Sequence, residues 1–203
     1  KTAYEIRPRD WSSDVCSSDL ECVEQWVGPG ARIVEVGAYV GNHAVYYLRF
    51  MQPSALTIFE PNPAIVPLLE RNLAGNSRAG LTPEVHALAA GSREARFHAV
   101  SDDAENQGAT RLVAAEDGAI RSTTLDSTVS GEIDFIKIDA EGMELEVLAG
   151  AARIIRESRP KIMIEVFNAH TDAFNQWLAA NRYRVVRTFQ YINAATLLIE
   201  PAA

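Results

Sequence analysis

From Arg32 onward the chain alternates short β-branched runs with stretches of helical periodicity, and this alternation restricts it to one kind of architecture. RIVEV (32–36), LTIFE (56–60), EVHAL (84–88), DFIKID (134–139) and KIMIEVF (161–167) read as strands. Between them, Asn42 to Phe50, Ala64 to Ala74, Glu144 to Glu157 and Thr171 to Asn181 read as helices. Ile65, Leu68, Leu69 and Leu73 share one helical face. Leu145, Leu148, Ala152 and Ile155 share another, and Pro160 stops that helix. Parallel strands need crossovers, and the helices that supply them cover both faces of the sheet. YRVVRTF (183–189) and ATLLIE (195–200) flank a short turn near Asn193, so a hairpin closes the chain. The expected fold is therefore α/β: a doubly wound, mostly parallel, seven-stranded sheet with a C-terminal antiparallel hairpin. ARFHAV (95–100) reads as an extra strand or a loop rim, and the polar stretch from Ser101 to Asp117 as loop or short helix.

A chain of 203 residues suits one domain with one sizeable core. No apolar run approaches the roughly 20 residues that span a bilayer. The net charge of −8 disfavours phosphate backbones and anionic membranes, so neither nucleic acid nor membrane is expected as a partner. Two cysteines imply no disulfide framework, which points to a reducing, cytoplasmic setting.

DWSSDVCSSDL (10–20) stands apart from this pattern: it is rich in Ser and Asp and has no apolar period. It resembles the translation of a common short-read sequencing adapter, in which GAC TGG AGT TCA GAC GTG TGC TCT TCC GAT encodes its first ten residues. Lys1 to Ile6 fit the same source. Residues 1–20 are accordingly expected to be foreign to the domain, which then occupies 21–203. Those twenty residues carry three basic and four acidic side chains, so the acidic balance does not depend on them.

In open α/β sheets ligands bind beyond the carboxyl ends of the strands. The chemistry is expected just after Val36, Phe59, Leu88, Ile138 and Val166. The first strand runs into EVGAYVGNH (35–43), where Gly37 and Gly41 permit a sharp turn and close backbone approach. The next helix offers free N–H groups to a carboxylate, and Glu35 can accept from an ammonium. The same glycines would equally serve strand–helix packing. The second strand ends in FEPNP (59–63), where Glu60 can accept from ribose hydroxyls. Asn62 and Pro63 there also suit a helix start. Ala89 follows the third strand.

A dinucleotide cofactor needs G-x-G-x-x-G, but Tyr39 and Asn42 occupy the second and third glycine positions after Gly37. That weighs against a nicotinamide-dependent oxidoreductase, the leading rival. In the fourth strand Lys137 and Asp139 share parity and face the same way, with Glu141 in the turn beyond. A Lys137–carboxylate pair that merely orders this turn is the plain alternative. A non-catalytic binding protein is the third reading, although a pure binder needs no such acidic cluster.

The run IDFIKIDAEGMELEVLAGA (133–151), with VEVGAYVGNH, TTLDS (123–127) and KIMIEVF, resembles the signature of the FkbM-type methyltransferase family. The resemblance covers most of Ala31 to Val166. It implies a class I, Rossmann-like methyltransferase that uses S-adenosylmethionine and methylates an oxygen, with a sugar or other small-molecule hydroxyl as acceptor. The cofactor set is then Glu35, Gly37, Ala38, Tyr39, Gly41, Asn42, Glu60, Pro61, Asn62, Ala89 and Asp139. The base candidates, in order, are Asp139, Glu141 and His43, with Lys137 holding a carboxylate or the acceptor oxygen. His170 is a rim candidate, and Glu165 either lines the acceptor side or is a buried carboxylate paired with Lys or Arg. Asn106, Gln107 and Arg111 could contact a hydroxylated acceptor, or belong to a solvated loop. Asp139, Glu141 and Glu165 are hard oxygen donors, but no His/Cys cluster has metal spacing, so no metal is expected.

Overall fold

The computed structural model describes residues 17–77, 80–101 and 110–202. A seven-stranded sheet forms the centre. In chain order its strands are β1 (Arg32–Val36), β2 (Ala55–Phe59), β3 (Glu84–His86), β8 (Phe135–Ile138), β9 (Lys161–Phe167), β10 (Tyr183–Gln190) and β11 (Ala194–Pro201). They lie in the spatial order β10-β11-β9-β8-β1-β2-β3. β1 pairs in parallel with β2 and β8, β2 with β3, and β8 with β9. β11 inserts antiparallel between β9 and β10, so the closing hairpin is built into the sheet as expected.

Strand alternation sorts the core into two layers. Val34, Val36, Ile136, Ile138, Ile162 and Ile164 face one way, toward α5 (Glu144–Ala149), α6 (Ala152–Ser158) and α7 (Thr171–Asn181). Ile33, Phe135 and Met163 face the other way, toward α1 (Ser17–Val27), α2 (Asn42–Tyr46) and a π turn (Tyr47–Met51). By parity Glu35 and Lys137 belong to this second layer, so two charged side chains enter an otherwise apolar one. Leu20, the last residue of the adapter-like run, is wholly buried in that layer from within α1.

Two expectations are corrected. The helix read over Glu144–Glu157 is two helices, broken at Gly150. A Cβ on Gly150 would stand 2.0 Å from the Gly91 carbonyl oxygen, and the Gly150 carbonyl accepts from the Asp126 amide. The break therefore comes from a close backbone crossing, which periodicity does not register. Second, part of the polar stretch 101–117 is a strand. β4 (Ala89–Ala90), β5 (Arg96–Ser101), β6 (Thr110–Ala114) and β7 (Ile120–Thr123) form a separate four-stranded sheet in the order β4-β7-β5-β6. ARFHAV is thus a strand. Asn106 and Gln107 lie outside the described residues, and Arg111 sits on β6 opposite Val100.

Candidate active site

Three turns at the carboxyl ends of β1, β2 and β8 build the site. After β1 the chain turns through Gly37 (φ +75°) and Tyr39 (φ +49°), then enters α2 at Gly41 (φ +89°). The turn is held from outside: Asn72 of α3 (Val66–Asn76) donates from Nδ2 to the Val40 carbonyl at 2.8 Å. Leu69 of the same helix packs where a Gly41 side chain would go. After β2, Glu60 is buried and ties two turns together. Its Oε2 accepts from the Tyr39 amide at 2.7 Å and its Oε1 from the Asn62 amide at 2.9 Å. Burial nonetheless raises its pKa, against the lowering pull of those two amides. Each oxygen keeps a lone pair for a further donor.

After β8 the DAEG turn carries Glu141 (φ +49°) and Gly142 (φ +102°). Buried Glu144 fixes it, accepting at one oxygen from the Gly142 amide (2.8 Å) and the Ala140 amide (3.3 Å). Glu144 therefore acts on the turn's shape. The TTLDS motif is likewise structural here. Thr124 caps the short helix α4 (Leu125–Thr128), and the Asp126 carboxylate accepts from the Arg153 and Ile154 amides at the start of α6.

These turns enclose a cavity of about 340 Å³, within the usual range for small-molecule sites. Val36, Phe59, Leu88, Ala89, Ala90, Leu112 and Ile120 supply apolar lining, and Gly37, Tyr39, Glu60, Asn62, Asp139 and Glu141 supply polar groups and exposed backbone. Leu112 and Ile120 come from the second sheet, and the sequence reading missed them because their strands were not assigned. The set suits a flat ring against the apolar wall, a diol at Glu60 and a cation near Asp139 and Glu141. Pro61 and Ala89 also line this cavity. Ala38, Gly41 and Asn42 do not; Ala38 and Gly41 are buried behind the turn, and Asn42 is exposed. Glu35 also stands outside the lining, with no exposed surface and no hydrogen bond to either carboxylate oxygen.

A second cavity, about 170 Å³, adjoins the first. His43, Lys137, Asp139, Glu165, Tyr191 and Thr196 are among its walls, and so is Asp19 of the adapter-like run. Among the described residues, Asp139 alone lines both cavities. Lys137 Nζ donates to the Gly37 carbonyl at 2.7 Å, lies 3.3 Å from Asp139 Oδ2 and 3.9 Å from Glu35 Oε1. Burial pulls the Lys137 pKa down, but Asp139 and Glu35 more than offset it, and the net shift is upward. His43 is driven to about 3 by burial and the Lys137 charge, so it is a neutral imidazole. Glu141 and Glu165 rise to about 7, chiefly through burial and then through Asp139. His170 lines neither cavity; its Nδ1 is 3.9 Å from Glu144 Oε2. Among the described residues no group of three His, Cys, Asp or Glu could hold a metal ion.

A doubly wound sheet with an acid-lined cavity beyond the carboxyl ends of its strands is a Rossmann-like arrangement. The FkbM methyltransferase domain model matches residues 35–185. The chain belongs to the FkbM methyltransferase family. Among solved structures it is similar to an FkbM methyltransferase from Methylobacillus flagellatus (22% identity, TM-score 0.57), covering 83% of this chain and 43% of that one. The chain thus spans under half the length of that relative. It is also similar to the magnesium protoporphyrin IX methyltransferase of Synechocystis, solved with bound SAM (10% identity, TM-score 0.57, 91% of this chain and 79% of that one). The B. subtilis tRNA methyltransferase TrmK shares the fold as well (13% identity, TM-score 0.59, 91% and 65%). No curated protein matches the chain by sequence. Among the described residues no helix is long and apolar enough to cross a membrane.

Proposed function

We propose that the chain transfers a methyl group from S-adenosylmethionine to a hydroxyl of a sugar or other small molecule, with Asp139 as the general base. The observation that carries this reading is the position of Asp139 between the two cavities. The larger cavity takes the donor: the adenine ring against Leu88, Leu112 and Ile120, the ribose diol at Glu60, and the cationic end toward Asp139 and Glu141. When bound, the donor supplies an electrophilic methyl on a sulfonium. The smaller cavity takes the acceptor.

There Asp139 accepts the acceptor's proton as the oxygen begins to bond, and Lys137 stabilises the arrangement of charges. Glu165, protonated below about pH 7, can donate a hydrogen bond to the acceptor. His43 is a weak base with its depressed pKa and ranks below Asp139. Glu141 lines only the donor cavity, which favours a role toward the donor's cation. Holding the two reactants in line is worth about 7–11 kcal/mol, and a positioned base adds roughly 10²–10⁴-fold.

The fold is common to methyltransferases of RNA and of small molecules, so it does not choose between acceptors. The choice of a small hydroxylated acceptor rests on family resemblance and on a site rich in carboxylates, which repels phosphate. Tyr39 and Asn42 stand where a dinucleotide fingerprint needs its second and third glycines, which disfavours a dinucleotide. A thermal-shift comparison with S-adenosylmethionine, S-adenosylhomocysteine and NAD tests the donor. Stabilisation by NAD alone would refute it. A screen of sugars and hydroxylated natural products, read by S-adenosylhomocysteine release, tests the acceptor class.

A further inference from the structure

Glu35 is a carboxyl with no exposed surface, and neither oxygen has a hydrogen-bond partner. A buried carboxylate in that state is very costly, whereas a neutral carboxyl is far cheaper. Its surroundings are few. Lys137 and Asp139 approach from β8, with Lys137 Nζ 3.9 Å away. Glu60 approaches from the end of β2, and Tyr47, whose buried hydroxyl is also unpartnered, from the π turn. His43 and Glu165 act on the same Lys137–Asp139 pair. Lys137 is the one cation in this group, and two carboxyls, Asp139 at 3.3 Å and Glu35 at 3.9 Å, compete for its charge.

We propose that Glu35 is a positioning residue for Asp139: when Glu35 ionises it draws the Lys137 ammonium away from Asp139, and when Glu35 is neutral the ammonium is held by Asp139 and the Gly37 carbonyl. The inference deepens the reading of Asp139 as the base and rests on it for its catalytic meaning. Burial, partly opposed by Lys137 and reinforced by Asp139 and Glu60, lifts the Glu35 pKa to about 7, so the exchange falls in the neutral range. The ammonium never leaves Gly37: the carbonyl is the fixed point about which it leans toward one carboxyl or the other. Because Gly37 also lines the donor cavity, the exchange is felt at the wall where the reacting groups meet.

The test is a ¹³C-carboxyl NMR titration of the full chain, with Asp139 assigned by loss of its signal in Asp139→Asn. In the wild type the Asp139 carboxyl carbon should move in a step centred near pH 7, together with the Glu35 carboxyl. Because Glu141 and Glu165 also titrate near 7 beside Asp139, the titration is run in the Glu141→Gln/Glu165→Gln background as well; there the isosteric Glu35→Gln change should abolish the remaining step, and a step of unchanged size would overturn the proposal. Affinity for S-adenosylhomocysteine, measured by calorimetry, should stay within about threefold, since Glu35 does not line the donor cavity. An Asp139 signal without the neutral step in the wild type would overturn the proposal, whether or not the variant folds. So would a tenfold loss of S-adenosylhomocysteine affinity with the Asp139 step retained, which would make Glu35 a donor ligand instead. A neutral step together with full turnover in Asp139→Asn would uphold the Glu35–Asp139 coupling and remove the base assignment.

Discussion

Gly37 and Asp139 meet backbone to backbone: a Cβ built on Gly37 would stand 1.7 Å from the Asp139 carbonyl oxygen. With φ at +75°, Gly37 also has a conformation that side chains resist. The contact fixes the spacing between the turn after β1 and the turn after β8, and so the shape of the larger cavity, which both residues line. Gly37→Ala should force these turns apart, lower the melting temperature by several degrees and abolish measurable S-adenosylhomocysteine binding. Thermal scanning and calorimetry check both. Wild-type affinity in the variant would mean the turns can shift without cost.

Glu60→Gln should weaken donor binding by roughly 10–100-fold, the worth of hydrogen bonds to a charged acceptor. The amide would present its NH₂ to one of the two backbone N–H groups that Glu60 now receives, from Tyr39 and Asn62. Turnover at saturating donor should change less than affinity. An unchanged dissociation constant would displace the ribose from this position.

Asp139→Asn should cut turnover by about 10²–10⁴-fold while S-adenosylhomocysteine affinity stays within a few-fold. Glu141→Gln should also lower turnover, with more of its effect in donor affinity, because it lines the donor cavity alone. Near-normal turnover in both variants would remove the base from this turn.

Glu35, Glu141 and Glu165 each rise to about 7, chiefly by burial. A carboxyl whose folded pKa lies above its unfolded value is stabilising below the unfolded value, near 4.5. That contribution is lost as pH rises through about 7. The protein should therefore lose stability between pH 5 and 8. For Glu35, which is fully buried, the shift corresponds to about 3 kcal/mol. Denaturation by urea at pH 5 and pH 8 should show Glu35→Gln close to the wild type at pH 5 and more stable than it at pH 8. Equal differences at both pH values would contradict a raised Glu35.

Leu112→Asp should weaken S-adenosylmethionine binding by at least tenfold, since it puts a charge on the apolar wall of the donor cavity. Arg111→Ala, one position away on β6, should leave that affinity unchanged. Calorimetry on both variants separates the wall of the cavity from the remainder of the strand.

The sequence by itself determined the order of strands in the central sheet and of the helices between them. Those features are local. β-branched runs, helical spacing, Pro160 and the acids that close strands are each read within a few residues, and the sheet's parallel pairing follows from the crossovers. Tertiary structure decided what depends on distant segments meeting. The second sheet arises because 89–90, 96–101, 110–114 and 120–123 pair with one another, which brings Leu112 and Ile120 to the wall of the larger cavity. Gly150 breaks a helix because Gly91 crosses it. Glu35 and Glu60 both lie at strand ends, yet one is sealed beside Lys137 and the other lines a cavity. That difference is set by which neighbours pack over each carboxyl, and by whether backbone amides are left there to receive its charge.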